Sequence, residues 1–283
     1  ADVAVISTLD IDHVEWLGGT REIIAREKAG ILRSGRPAVC SDPEAPASLL
    51  AYADEQAVPL ALLGVDYHFS EQGERWSWWS GAVSLPDLPR PALSGNYQLR
   101  NAAGVLKVID LLQSRHPVTG EQLADALARV RLQGRFQRFS GPVELILDVA
   151  HNAQAVSAFA ANLAALPTVS RTHVVLGILR TKDRVGVMRT LDPLVDRWHL
   201  ATVDAARGAS AAELHATWQS LPRRRPATCY ESIVQAWRAA CTEAAVGERI
   251  LVIGSFLTVG EVLRDLAARE DPTALRAGTW TRS

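Results

Sequence analysis

From Gly141 onward the chain repeats one unit, a short apolar strand, a turn and then a helix. Strands are predicted at Val143 to Val149, His173 to Leu179, Arg197 to Thr202, Ala227 to Tyr230 and Arg249 to Gly254, with helices between them. A strand that returns through a helix lies parallel to its predecessor, so the alternation demands a mostly parallel sheet covered on both faces. Ligands of such sheets bind outside the carboxyl ends of the strands. No solenoid-type repeat underlies the pattern.

The residues before this run read differently. Val3 to Ser7 and Pro37 to Cys40 are predicted strands, and Thr20 to Ala29 a helix with Thr20 as N-cap. A helix over Pro46 to Gln56 precedes short strands within Leu60 to Leu85. There, alternation puts Trp76 and Trp78 on one face, which suits a small sheet surface or a ligand-stacking platform. Helical spacing returns at Tyr97 to Leu112 and, after the turn Pro117 to Gly120, at Gly120 to Val130. The change of pattern sets two α/β domains, residues 1–138 and residues 139–283.

Composition narrows the function classes. With 30 basic and 31 acidic side chains the net charge is -1, so no whole-molecule field favours nucleic acid or an anionic membrane. No apolar stretch reaches the roughly 18 to 20 residues of a membrane helix, and a soluble protein is expected. The three cysteines Cys40, Cys229 and Cys241 suit a reducing cytosol better than a disulfide framework. No zinc-type spacing occurs, and His68, His116, His173, His199 and His215 are read as surface or satisfied core histidines. Only three lysines occur, Lys28, Lys107 and Lys182, and the only methionine is Met188. The chain opens at Ala1 straight into an apolar alternating run, as a chain begun in mid-fold would.

The densest chemistry is Asp10-Ile-Asp-His-Val-Glu-Trp-Leu-Gly18, directly after the first predicted strand. Oxygen and imidazole ligands so placed suit a hard metal or phosphate chemistry; a solvated loop has the same composition. Lys28 closes the following helix, where a cation favours the negative dipole end. Asn152 and Ser255 each precede a helix and suit N-caps as well as ligand contacts. Gly177-Ile-Leu-Arg-Thr-Lys-Asp183 is a strand-end loop or a substrate contact through Lys182 or Asp183, and Arg223-Arg-Arg225 reads as a solvated turn.

Taken in order, Leu9 to Gly18, Arg26-Glu-Lys-Ala-Gly-Ile31, Asn101-Ala-Ala103, Gly134-Arg-Phe-Gln137, Asp148-Val-Ala-His-Asn152 and Gly254-Ser-Phe-Leu-Thr258 resemble the folylpolyglutamate synthase and dihydrofolate synthase family, relatives of the Mur ligases. The resemblance implies the carboxyl-terminal part of a P-loop-type central ligase domain, followed by a Rossmann-like Mur ligase C-terminal domain. It implies that His13 ligates Mg2+ and that Lys28 is carbamylated, exchanging a cation for a carboxylate. Both would be catalytic with Arg135. Asn101, Arg135 and Asp148 would contact ATP, and His151 and Ser255 would position L-glutamate.

The implied reaction adds L-glutamate to dihydropteroate or folates through an acyl phosphate, giving ADP and phosphate, in a monomeric cytoplasmic enzyme. A Mur-type ligase of cell-wall precursors, or a non-catalytic nucleotide and amino-acid binding module, are the alternatives. The family's phosphate loop ends in Gly-Lys-Gly-Ser or a close variant, yet none of the 19 glycines here is followed by lysine. Glu15 and Glu27 do not match the family's metal-ligating glutamate either. An amino-terminally truncated chain, inactive alone, is therefore expected.

Overall fold

A computed structural model describes residues 1–10, 20–93, 95–222, 225–268 and 281–282. The chain divides into two compact units, Ala1–Arg131 and Leu132–Ser283, so the Gly134 to Gln137 segment goes with the second unit.

In the first unit the parallel strands β1 (Ala4–Ile6), β2 (Ala38–Cys40) and β3 (Leu60–Leu62) lie in that order. Helices α1 (Arg21–Ala29) and α2 (Ala47–Glu55) pack Ile24, Ala25, Leu49 and Ala53 into one apolar cluster with Ile6 and Cys40. Thr20 caps α1, accepting from the Ile23 N–H at 3.3 Å, as its sequence position predicts.

An antiparallel sheet follows, β4 (His68–Gln72), β5 (Arg75–Ser80) and β6 (Val83–Pro89). Trp76 and Trp78 share a face of β5 and are both fully buried, in one cluster with Leu99, Ala103 and Leu106 of α3 (Asn96–Leu112). Their indole N–H groups donate to Pro89 O at 2.9 Å and Ala103 O at 3.1 Å. The tryptophans are thus core, neither sheet surface nor stacking platform, because burial removes a large apolar area while each polar edge finds a carbonyl. Gly104 of α3 makes room for Ser41, since a Cβ there would collide with Ser41 Oγ. Helix α4 (Gly120–Arg129) closes the unit, its start fixed by a capping box between Thr119 and Gln122.

The second unit is a seven-stranded sheet. In chain order its elements are β7 (Gln137–Ser140), β8 (Glu144–Asp148), α5 (Ala153–Ala164), β9 (Thr172–Leu176), α6 (Arg184–Leu191), β10 (Arg197–Ala201), α7 (Ala211–Gln219), β11 (Ala227–Tyr230), α8 (Ile233–Glu243), β12 (Arg249–Ile253), α9 (Phe256–Ala268) and β13 (Thr281–Arg282). The spatial order is β11-β10-β9-β12-β8-β7-β13. The five strands from β11 to β8 are parallel, while β7 pairs antiparallel with β8 and β13 antiparallel with β7. The parallel strands match the predicted ones. β7 has no predicted counterpart, because Gln137–Ser140 lacks apolar alternation and becomes a strand only by pairing with β8.

Interior parallel strands are apolar on both faces. Val174, Leu176 and Ile146 face the cluster holding Val156 and Phe159 of α5 and Val187 of α6. Val175, Leu145 and Leu147 face the one built by Ile233, Ala236 and Trp237 of α8 and Val259 of α9.

Candidate functional site

The carboxyl ends of β8, β9 and β12 meet in a close approach of backbones. Gly254, just past β12, has φ +118°, and a Cβ there would stand 2.5 Å from Gly177 O, just past β9. Gly134 has φ +68°, and a Cβ there would stand 2.8 Å from Val149 Cγ1. Only glycine combines this conformation with such contact. Four of the residues expected at the site, Arg135, Asp148, His151 and Ser255, lie on the segments so joined.

Asp148 ends β8 and is 4% exposed. Its Oδ2 accepts from the Phe136 N–H at 2.7 Å and its Oδ1 from the Ala150 N–H at 2.8 Å. The first bond holds Phe136 at φ 44°, a conformation that costs on the order of 1–3 kcal/mol for a non-glycine residue. Burial pushes the Asp148 carboxyl above its ordinary value, against the two N–H groups and the charges of Arg135 and His151. Arg135 lies with its guanidinium carbon 5.6 Å from the centroid of the exposed Phe256 ring.

His151 is half-buried, and its Nδ1 lies 2.9 Å from Val149 O. That carbonyl can only accept, so Nδ1 carries a proton. Ser255 is buried and caps α9, its Oγ accepting from the Thr258 N–H at 3.0 Å. Thr258 Oγ1 donates to Gly177 O at 2.6 Å, so the Ser255 hydroxyl donates to Thr258 Oγ1, 2.7 Å away. Asn152 caps α5 through the Ala155 N–H at 2.8 Å, and Asp183 caps α6 through the Gly186 N–H at 2.8 Å.

In the first unit Lys28 is exposed in the last turn of α1, and no hydrogen bond or ion pair engages its amine among the described residues. Asn101 is exposed on α3, its Nδ2 donating to Gln98 Oε1 at 3.1 Å. It borders a cavity of ≈ 220 Å³ between α3 and α4, otherwise lined chiefly by apolar side chains such as Val105, Leu106 and Leu127. His13 and Glu15 lie outside the described residues.

Sequence reasoning missed Asp42. This side chain is 2% exposed, and its Oδ2 accepts from the Leu9 N–H at 2.7 Å and from Arg21 at 3.0 Å. Arg21 Nε in turn donates to Leu9 O at 3.0 Å. The pair fixes both backbone polar groups of Leu9, three residues beyond the end of β1. The Asp42-Pro43 dipeptide reads as an ordinary turn, so no sequence signal marks this role.

His173 and His199 are satisfied core histidines, as expected, and they meet each other. Parallel pairing of β9 with β10 brings His173 Nδ1 to 3.2 Å from His199 Nε2, with both rings buried. Their long sequence separation hides the contact. Burial pushes His199 down to about 4, partly offset by Glu243 and reinforced by the charges of His173 and Arg197.

Residues 134–256 match the family described as Mur ligase, glutamate ligase domain. The chain is 36% identical over 269 residues to the dihydrofolate synthase/folylpolyglutamate synthase of Escherichia coli (strain K12), covering 95% of this chain and 61% of that protein. Against the Haemophilus influenzae protein of the same name the identity is 35%, covering 92% and 62%. The solved structure of E. coli FolC in complex with DHPP and ADP superposes with a TM-score of 0.86 at 35% identity, covering 96% of this chain and 63% of that one. A bifunctional folylpolyglutamate synthase/dihydrofolate synthase with Mn, AMPPNP and L-glutamate bound gives 0.83 at 37% identity, covering 94% and 62%. The chain thus spans less than two thirds of the length of these relatives. Sequence identity and fold agree along nearly all of its own length, so the chain is similar throughout to a part of the dihydrofolate synthase/folylpolyglutamate synthases.

Proposed function

We propose that this chain serves an ATP-dependent carbon–nitrogen ligase that adds L-glutamate to dihydropteroate, to folates, or to both. The terminal phosphoryl group of ATP passes to the carboxylate of the acceptor and ADP leaves. The glutamate amine then attacks the acyl carbon, the amide forms and phosphate departs. The observation that carries this reading is the gathering of Arg135, Asp148, His151 and Ser255 at the carboxyl edge of one sheet, in a chain whose relatives were solved with ADP, AMPPNP and L-glutamate.

Each residue suits its part. Arg135 offers a planar fork that neutralises charge on a phosphoryl group. Each Asp148 oxygen accepts one backbone N–H, and a carboxylate oxygen keeps a further lone pair for a ribose hydroxyl. The Nδ2 bond to Gln98 orients Asn101, whose Oδ1 can meet a base edge. His151 stands beside this edge as a positioning group for glutamate, and a lone pair of Ser255 Oγ is an acceptor that suits its amine; the Ser255 proton is committed to Thr258.

The exposed Lys28 amine is open to carbon dioxide, and the resulting carbamate with His13 makes an oxygen and imidazole donor set that magnesium accepts. Magnesium bound there would supply positive charge against the phosphates. We further read the enzyme as a cytoplasmic monomer with small-molecule partners; among the described residues no helix is long and apolar enough to cross a membrane.

The test is ADP release that requires glutamate and dihydropteroate or folate, from this chain and from one extended upstream with the amino-terminal part of its E. coli relative. Turnover in the extended protein, and little in the 283 residues alone, is expected. No turnover in the extended protein overturns the ligase reading, and turnover only with a nucleotide-linked muramoyl acceptor replaces it with a Mur-type ligase. Lys28→Arg keeps a cation but forbids the carbamate, and should cost about 100-fold in kcat; unchanged turnover would make Lys28 structural.

A further inference from the structure

We propose that the second unit holds a divalent transition-metal site of the kind that takes zinc, formed by His173, His199 and Glu243 at the end of the sheet opposite the Asp148 edge. His173 is the second residue of β9 and His199 the third of β10. Both point to the face covered by α8, whose last residue is Glu243. One ligand atom from each of the three lies within 4.8 Å of the others.

The spacing is that of a coordination sphere. His173 Nδ1 and His199 Nε2 are 3.2 Å apart. Two nitrogens each about 2.0–2.1 Å from a tetrahedral zinc ion stand about 3.3 Å apart. Glu243 Oε2 is 4.0 Å from His199 Nε2, and the three ligand atoms lie within 4.8 Å of one another, so a movement of about 1.5 Å or less completes a His2Glu set, with a fourth position for water. The outer groups suit a metal too. His173 Nε2 lies 3.0 Å from Glu248 Oε2, the carboxylate–histidine pairing that fixes the tautomer of a ligating imidazole. Glu248 is itself held by the Ala245 N–H at 3.0 Å, and His199 Nδ1 lies 3.1 Å from the Tyr230 hydroxyl. Arg197 donates to both Glu243 oxygens, at 2.9 and 3.1 Å, and so steadies the carboxylate.

Access exists as well. Glu243 lines a cleft of ≈ 540 Å³ with Arg171, Asp196, Arg197 and Arg225. Without metal the same groups can close a hydrogen-bonded chain, Tyr230 O–H to His199, His199 Nε2–H to His173 and His173 Nε2–H to Glu248. A metal ion takes the place of the middle proton. That proton moves to His199 Nδ1, which then donates to the Tyr230 oxygen, and none is lost. Imidazole and carboxylate ligands together suit zinc better than magnesium or calcium.

The experiment uses the 283-residue chain stripped with a chelator and dialysed, then titrated calorimetrically with Zn2+ and, in parallel, with Co2+ followed by its visible d–d absorption. One ion per chain is expected, with the intense cobalt bands of a tetrahedral site. Glu248→Gln should weaken binding about 10–100-fold, and Glu243→Gln at least as much, with unchanged circular dichroism. Glu243→Gln decides the matter even where a histidine variant fails to fold, because the Glu243 side chain is 39% exposed. Absence of binding, or wild-type affinity in both glutamine variants, overturns the site and leaves only the hydrogen-bonded chain.

Discussion

The two ends of the seven-stranded sheet handle buried polarity differently. At the carboxyl edge, the polar side chains serve the backbone: Asp148 holds Phe136 and Ala150, Ser255 and Thr258 hold a helix start and Gly177 O. Toward the other end they also serve one another, in the contacts of His199 with His173, His173 with Glu248 and Arg249 with Glu144, while Glu248 and Arg249 reach the backbone at the Ala245 N–H and Pro167 O. A loop tied by backbone bonds keeps one shape, which a site that positions several substrates needs. A run of side chains bonded to side chains can relocate a proton within itself, as the proposed metal site requires, without moving a strand.

Substitutions can break this contrast. The largest effect is expected from Asp148→Ala, which leaves two buried N–H groups unpaired and should cost about 4 kcal/mol in urea unfolding; a loss under about 1 kcal/mol would show that the loop holds its shape without the carboxylate. Gly254→Ala forces a Cβ against Gly177 O at the crowded end and should cost about 3 kcal/mol. Its counterpart Gly247, near the amino end of β12, has φ +84° but no atom within 4 Å of the place a Cβ would take, so Gly247→Ala should cost only about 1 kcal/mol. Equal losses at the two glycines would erase the difference in crowding.

The smallest effect sharpens the comparison through pH. Burial raises the Asp148 carboxyl above 3.8, so the native chain binds its proton before the unfolded chain does. The stability it contributes is then fully present below 3.8 and lost as pH rises through the raised value. Carbon-13 carboxyl titration should show Asp148 above 3.8; a value below it would mean that the Phe136 and Ala150 N–H groups outweigh desolvation.

Much of this was legible in the residues. Thr20 and Asn152 announced their helices because an N-cap needs only its own side chain and the N–H three residues on. The apolar strands from Glu144 to Ile253 announced a parallel sheet because burial on both faces leaves no polar alternation. Alternation places Trp76 and Trp78 on one face, but what covers that face depends on α3, which no spacing within β5 reveals. Ordered motifs point to Arg135, Asp148, His151 and Ser255, while the bonding of these residues is invisible in them. Whether Thr258 Oγ1 meets Gly177 O depends on β9 and β12 lying side by side.

The sequence by itself determined the alternation of strands and helices, the helix starts and the likeness to folylpolyglutamate and dihydrofolate synthases, because these rest on local propensity and on motifs read in order. Only the tertiary structure decided that Asp42 anchors Leu9, that two tryptophans are core, and that His173 meets His199. Those contacts join residues far apart in the chain, and strand order and register, which no local pattern encodes, bring them within hydrogen-bond range.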